Sequence, residues 1–140
     1  MNERFLFRGK RKDNGGWVYG GIYYQKADEV KEEAVYIIGG SLNDVGAAYE
    51  VIPETVGQYT GLTDKNGKRI FEGDIIKTKK YGRNIGHSNV NNFDIFKVIY
   101  EPAVFRLKNV RRGFNLVGNG NDFEVIGNVM DNSELLEVEE

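Results

Sequence analysis

The chain contains no cysteine. That absence removes disulfides, thiolate nucleophiles, iron–sulfur clusters and thiolate zinc together. It contains a single histidine, His87 in the polar run His87-Ser88-Asn89, so a histidine-based zinc site has no second imidazole. A Ser-His-Asp relay finds no elbow motif around any serine. Counting alone leaves open a metal held only by carboxylates. No apolar run of ~20 residues is present to cross a bilayer as a helix. The opening Met1-Asn2-Glu3-Arg4-Phe5 carries no apolar signal core. Together these give the expectation of a cytoplasmic protein with no membrane partner and no cofactor. Nor does one sign of charge dominate: 19 Lys and Arg against 21 Asp and Glu leave a formal net charge of −2, so nothing draws the whole chain to nucleic acid.

What is present is glycine and aromatic residues. Eighteen glycines stand against two prolines, with eight tyrosines and eight phenylalanines. Such a composition predicts short strands joined by tight glycine turns and disfavours helix. At 140 residues the chain suits one domain, or a small barrel with an added subdomain, and its core needs no staples.

Strands are expected at Arg4–Arg8, at Trp17-Val18-Tyr19 and Ile22-Tyr23-Tyr24 around a bulge or close approach at Gly20-Gly21, at 34–38 and at 49–52. The reversal Asp13-Asn14-Gly15-Gly16 makes a hairpin of the first two. The segment 25–33, with Val30 its one large apolar residue, reads as an exposed loop or a single helical turn. Pro53 stops the fourth strand and marks the boundary between a β-rich N-terminal portion, 1–53, and a second portion, 54–140. Beyond it, strands are expected at 58–63, 68–71, 74–79, 93–100, 103–107, 113–117 and 123–129, with a long polar loop over 81–92. A change of apolar phase at Phe96-Lys97 suggests a bulge. Ser133 is positioned as the N-cap of a short terminal helix.

Four constellations invite a functional reading. The carboxylates Asp64, Glu72 and Asp74 would suit Mg²⁺ or acid–base work. As turn and strand-entry residues, however, Asp64 and Asp74 are expected to bond backbone N–H groups. Lys77, Lys79, Lys80 and Arg83 beside Tyr81, and Arg106, Lys108, Arg111 and Arg112 beside Phe105 and Phe114, resemble the cation and ring mixture with which small barrels hold nucleic acid. The competing reading is a solvated edge strand guarded by lysines. Gly113 to Gly120 is glycine-spaced but lacks the Gly-Lys-Ser/Thr ending and following helix of a phosphate loop, and is read as containing a hairpin turn. Trp17, Tyr19, Tyr23 and Tyr24 would serve a protein partner if exposed; their spacing suits an ordinary core equally well.

Several segments, taken in order, resemble the YopX family of phage and prophage proteins. They are Phe7-Arg8-Gly9-Lys10, Trp17-Val18-Tyr19-Gly20, residues 56–62 (VGQYTGL), Asp64-Lys65-Asn66-Gly67-Lys68, Ile70-Phe71-Glu72-Gly73-Asp74-Ile75, and Val125-Ile126-Gly127-Asn128-Val129 with Glu134-Leu135-Leu136. The likeness runs from Phe7 to Leu136, departing where Asn132-Ser133-Glu134 replaces a common Asn-Pro-Glu. The resemblance implies a Src-homology-3-like small barrel over 54–140, a smaller β-rich N-terminal portion and a phage or prophage origin. It supplies no catalytic residues. The expected fold class is therefore mainly β, and the expected function is binding without catalysis, through a protein partner or a homo-oligomer. Nucleic acid at Lys77, Lys79, Lys80, Tyr81 and Arg83 stands second, and a carboxylate-metal enzyme third.

Overall fold

Glycine and asparagine set the turns from which the sheets grow. A computed structural model describes residues 5–39, 47–78, 94–109, 113–116 and 120–137. These form a mainly β protein with two compact units, Met1–Tyr59 and Thr60–Glu140.

In the first unit, β1 (Phe7–Lys10), β2 (Trp17–Gln25), β3 (Ala34–Gly39) and β4 (Ala48–Val51) are antiparallel neighbours. The opening of β5 (Gly57–Thr63) lies on the other side of β1. The β1–β2 reversal closes through Gly15 N–H to Arg11 O at 3.0 Å, while the Asn14 side chain accepts from Gly16 N–H at 2.8 Å. Of the two readings of Gly20-Gly21 the bulge is absent, because β2 is one continuous strand. Gly20 marks a close approach: a Cβ there would stand 2.0 Å from the carbonyl oxygen of Ile38. The segment 26–33 is a loop in which Asp28 accepts from the N–H groups of Val30 and Lys31. After β1 the chain bonds back to β4. Arg11 bridges Val51, Ile52 N–H donates to Lys10 O, and Lys12 N–H donates to Glu50 O. The outer edge of β4 is thereby covered, as an edge strand requires, and Ile37 and Val51 are fully buried.

In the second unit β6 (Arg69–Phe71) pairs with β5. A five-stranded antiparallel sheet follows: β7 (Asp74–Thr78), β8 (Asp94–Glu101), β9 (Val104–Lys108), β10 (Gly113–Asn115) and β11 (Phe123–Asn128), in the order β10-β9-β8-β7-β11. Among the described residues β10 and β11, its two ends, do not pair with each other, so the expected barrel is not closed by described strand pairing. The core on one face consists of Ile70, Ile76, Phe96, Val98, Leu107 and Phe123, with Leu62, Phe114, Leu116 and Val125 packed against it. A short helix, α1 (Glu134–Glu137), packs against β8. Among the described residues no helix is long and apolar enough to cross a membrane.

The expected bulge at Phe96-Lys97 is absent. Pairing with β7 runs unbroken through both residues, and pairing with β9 begins at Lys97 without a register shift. Asp94, Phe96 and Val98 turn inward, leaving Ile95 and Ile99 on the half-covered opposite face. The irregularity lies in β11, between Val125 and Gly127.

Candidate functional site

The segment 56–75 folds as a weld. Asp64 is buried at the head of the Asp64-Lys65-Asn66-Gly67 reversal. Its Oδ1 accepts from the N–H groups of Asn66 and Lys68, both at 2.9 Å, closing the turn on itself. Its Oδ2 accepts from Val125 N–H at 2.9 Å, so one carboxylate joins the turn to β11. Lys65 N–H donates to Phe123 O at 3.0 Å alongside. Burial pushes the Asp64 carboxyl up, but the three N–H donors, helped by the Lys68 charge, outweigh it and hold the group below the ordinary aspartate value.

Ten residues on, Asp74 Oδ2 accepts from Phe71 N–H at 2.7 Å and pins the Glu72-Gly73 turn. Gly73 donates to Val98 O and accepts from Val129 N–H, each at 2.8 Å, tying that turn to β8 and to the chain after β11. The backbone role expected of both aspartates is what the structure shows. Among the described residues no three carboxylate or imidazole groups gather in a metal-holding arrangement.

A family profile described as YopX protein matches residues 6–137. The chain belongs to the YopX family. The crystal structure of protein EF1440 from Enterococcus faecalis is similar in fold, with a TM-score of 0.54 and 23% identity over 93% of this chain and 96% of that one. No curated protein matches. The matched span includes 56–75, the residues that join turn to sheet.

Of the basic residues singled out, Lys77 is on β7, whereas Lys79, Lys80, Tyr81, Arg83, Arg111 and Arg112 lie outside the described residues. Lys77 is not on an edge strand: β7 is paired with β8 on one side and β11 on the other. The edge-guard reading therefore does not hold for it in the folded protein. Its Nζ lies 3.6 Å from Glu124, which Lys65 also approaches at 3.4 Å. Strand alternation sets Lys77 on the sheet face opposite the Ile76, Phe96, Val98 and Leu107 cluster, with the fully buried Ile75 and with Ile95, Lys97, Ile99, Arg106 and Lys108. Phe105 and Phe114 belong to the opposite face: Phe105 meets Tyr100 at 5.2 Å and Phe114 meets Phe96 edge-on at 5.9 Å. They are not stacking partners for the cations of β9, because neighbouring residues on a strand point oppositely.

Sequence reasoning missed Lys97. Its signal was there: a lysine between Phe96 and Val98 in the most apolar strand.

The aromatic group of the first unit is divided. Trp17 is partly covered, with the Arg8 guanidinium 4.7 Å and the Lys10 ammonium 5.6 Å from its ring centre. Tyr19 and Tyr23 face one side of the β2–β3 hairpin, together with Tyr36 and Ile38; Ile22 and Tyr24 face the other. Tyr23 and Tyr36 are tilted neighbours with ring centres 6.1 Å apart. The exposed large apolar side chains here are Tyr19 (46%), Ile22 (42%), Tyr23 (53%), Tyr24 (49%) and Ile38 (40%).

Proposed function

We propose that this YopX-family protein acts by binding, without catalysis, and that the β2–β3 hairpin of its first unit is the contact surface, with a second copy of the chain as occupant. The observation that carries the reading is the exposed group Tyr19, Ile22, Tyr23, Tyr24 and Ile38. Half-exposed tyrosines offer roughly 100 Å² each, so Tyr19, Tyr23 and Ile38, which share one face, present on the order of 250–300 Å². The largest apolar patch on an ordinary monomer is about 300–600 Å² and is often functional. A standard interface buries about 800 Å² per partner, some 60% of it apolar, of which this one face supplies more than half. Commitment of Asp64 and Asp74 to backbone donors supports the non-catalytic part.

The same proposal takes the second unit as a partly open Src-homology-3-like barrel. The order β10-β9-β8-β7-β11, a meander whose last strand returns beside its first, supports it. The phage or prophage setting and cytoplasmic location remain part of this reading.

Light scattering on the purified protein tests it. The expected result is a mass above the monomer that falls to the monomer in a Tyr23→Lys, Ile38→Lys double variant with unchanged circular dichroism. A monomer persisting at high concentration would refute self-assembly.

A further inference from the structure

The face of the five-stranded sheet opposite its core carries a charge arrangement that stability does not explain. Lys97 on β8 and Lys108 on β9 are directly opposed in register, and like charges so placed destabilise a sheet. Among the described residues neither forms an ion pair within 4.0 Å. Lys77 stands on the same face of β7, diagonal to Lys97, because Ile75 opposes Lys97 and Lys77 opposes Ile95. Arg106 stands on β9 opposite Ile99. Its guanidinium lies over Gly113 of the edge strand, where a Cβ would come within 2.9 Å of Nη2.

Among the described residues the carboxylates on this face are few. Glu124 is shared by Lys65 and Lys77, and Glu101 meets Arg106 at 3.4 Å. The helix α1, packed against β8, adds the exposed Glu134. Guarding an edge does not account for Lys97, since β8 is the central strand.

We propose that this face binds the phosphate backbone of nucleic acid, with Lys97 and Lys108 as its principal contacts and Lys77 and Arg106 beside them. The aromatic residues described in this sheet, Phe96, Tyr100, Phe105, Phe114 and Phe123, belong to the other face, so phosphate rather than base stacking supplies the attraction. Binding is consequently salt-sensitive and indifferent to sequence. The site lies in the second unit and does not depend on the hairpin contact of the first.

Fluorescence anisotropy of the full-length protein with labelled single-stranded DNA, duplex DNA and RNA at low salt tests the proposal. Binding is expected, falling about tenfold or more in a Lys97→Gln, Lys108→Gln variant. The slope of log K against log salt should shrink by about 1.4 on single strands or about 1.8 on duplex. A Lys26→Gln, Lys31→Gln variant, equal in net charge but altered in the first unit's loop, should bind as the wild type does.

Removing an opposed like-charge pair leaves the melting temperature at or above the wild-type value. If the glutamine variant fails to fold, Lys97→Arg, Lys108→Arg keeps both charges and should retain binding. Absence of binding to all three probes at low salt overturns the proposal, as does an equal loss in the control variant. Capture of polyglutamate in place of nucleic acid also overturns it. Unchanged light-scattering mass in the glutamine variant separates this result from that of the hairpin.

Discussion

Replacing Asp64 with asparagine exchanges one carboxylate oxygen for an amide NH₂ where both oxygens are in use. Oδ1 serves Asn66 and Lys68, and Oδ2 serves Val125 across 61 residues of chain. An asparagine can turn its oxygen to one side alone. With the oxygen kept towards the turn, the amide NH₂ meets the Val125 N–H, so that bond is lost and a buried donor is orphaned. A hydrogen bond to a charged acceptor contributes about 1.5–3 kcal/mol and an orphaned buried donor costs about 1–3 kcal/mol. Because these overlap, the expected loss is about 3 kcal/mol, or a fall of more than ~10 °C for a unit of this size.

Urea unfolding followed by tryptophan fluorescence and circular dichroism measures the loss as a lower midpoint at unchanged slope. The depressed pKa fixes the pH signature. A carboxyl held lower in the folded than in the unfolded protein stabilises fully above its unfolded value, about 3.9, and loses that contribution as pH falls through the folded value. The gap between wild type and D64N should therefore be flat from pH 5 to pH 8 and close below about pH 4. A melting shift within ~2 °C at pH 7, near 0.5 kcal/mol or less, would refute the weld.

Two further substitutions probe the backbone of the second unit. Gly120 has φ +87°, and a Cβ there would stand 1.8 Å from the Thr63 carbonyl oxygen. Gly120→Ala should destabilise by about 3 kcal/mol or more, from left-handed strain plus backbone displacement, and thermal melting reads it. Ala103 closes the β8–β9 hairpin at φ +73°, in a region that costs an alanine about 1–2 kcal/mol. Ala103→Gly should raise stability by about 0.5–1 kcal/mol after the glycine's entropy is set against it; a lower melting temperature would count against this account.

Much of the strand inventory was legible because its signals are local. Pro53 and the Gly20, Gly39 and Gly73 positions punctuate the chain where turns, close approaches or strand ends occur. The turn roles of Asp64 and Asp74 also follow from their immediate neighbours, since Asp64 reaches the N–H groups two and four residues on, and Asp74 that of Phe71 three residues back, without tertiary help. The inward face of β8 was not legible. Ile95 and Ile99 compete with Phe96 and Val98 for the core, and the choice falls to pairing with β7 and β9.

The status of Lys77 failed to show for a related reason. Whether β7 is an edge depends on β11, far along the chain. The Lys97–Lys108 opposition is likewise a property of register, invisible until two strands are aligned. The cover over the outer edge of β4, supplied by residues 10–12, rests on the same kind of distant pairing.

The long separation between β7 and its second neighbour also has a consequence in time. The Asp64 to Val125 bond spans 61 residues, which a ribosome working at about 5–20 residues per second adds in roughly 3–12 s. β8 is complete at Glu101 and β11 only at Asn128, so for the last part of that interval, roughly 1–5 s, β7 has β8 to pair with and nothing on its other side, and the apolar pair Ile75 and Ile76 sits on a temporary edge. Lys77, interior in the finished sheet, is then an edge lysine of the kind that discourages pairing between nascent chains. Ribosome-stalled chains ending at residue 120 should aggregate more readily with Lys77→Val than without it, while the released full-length proteins should differ little in solubility.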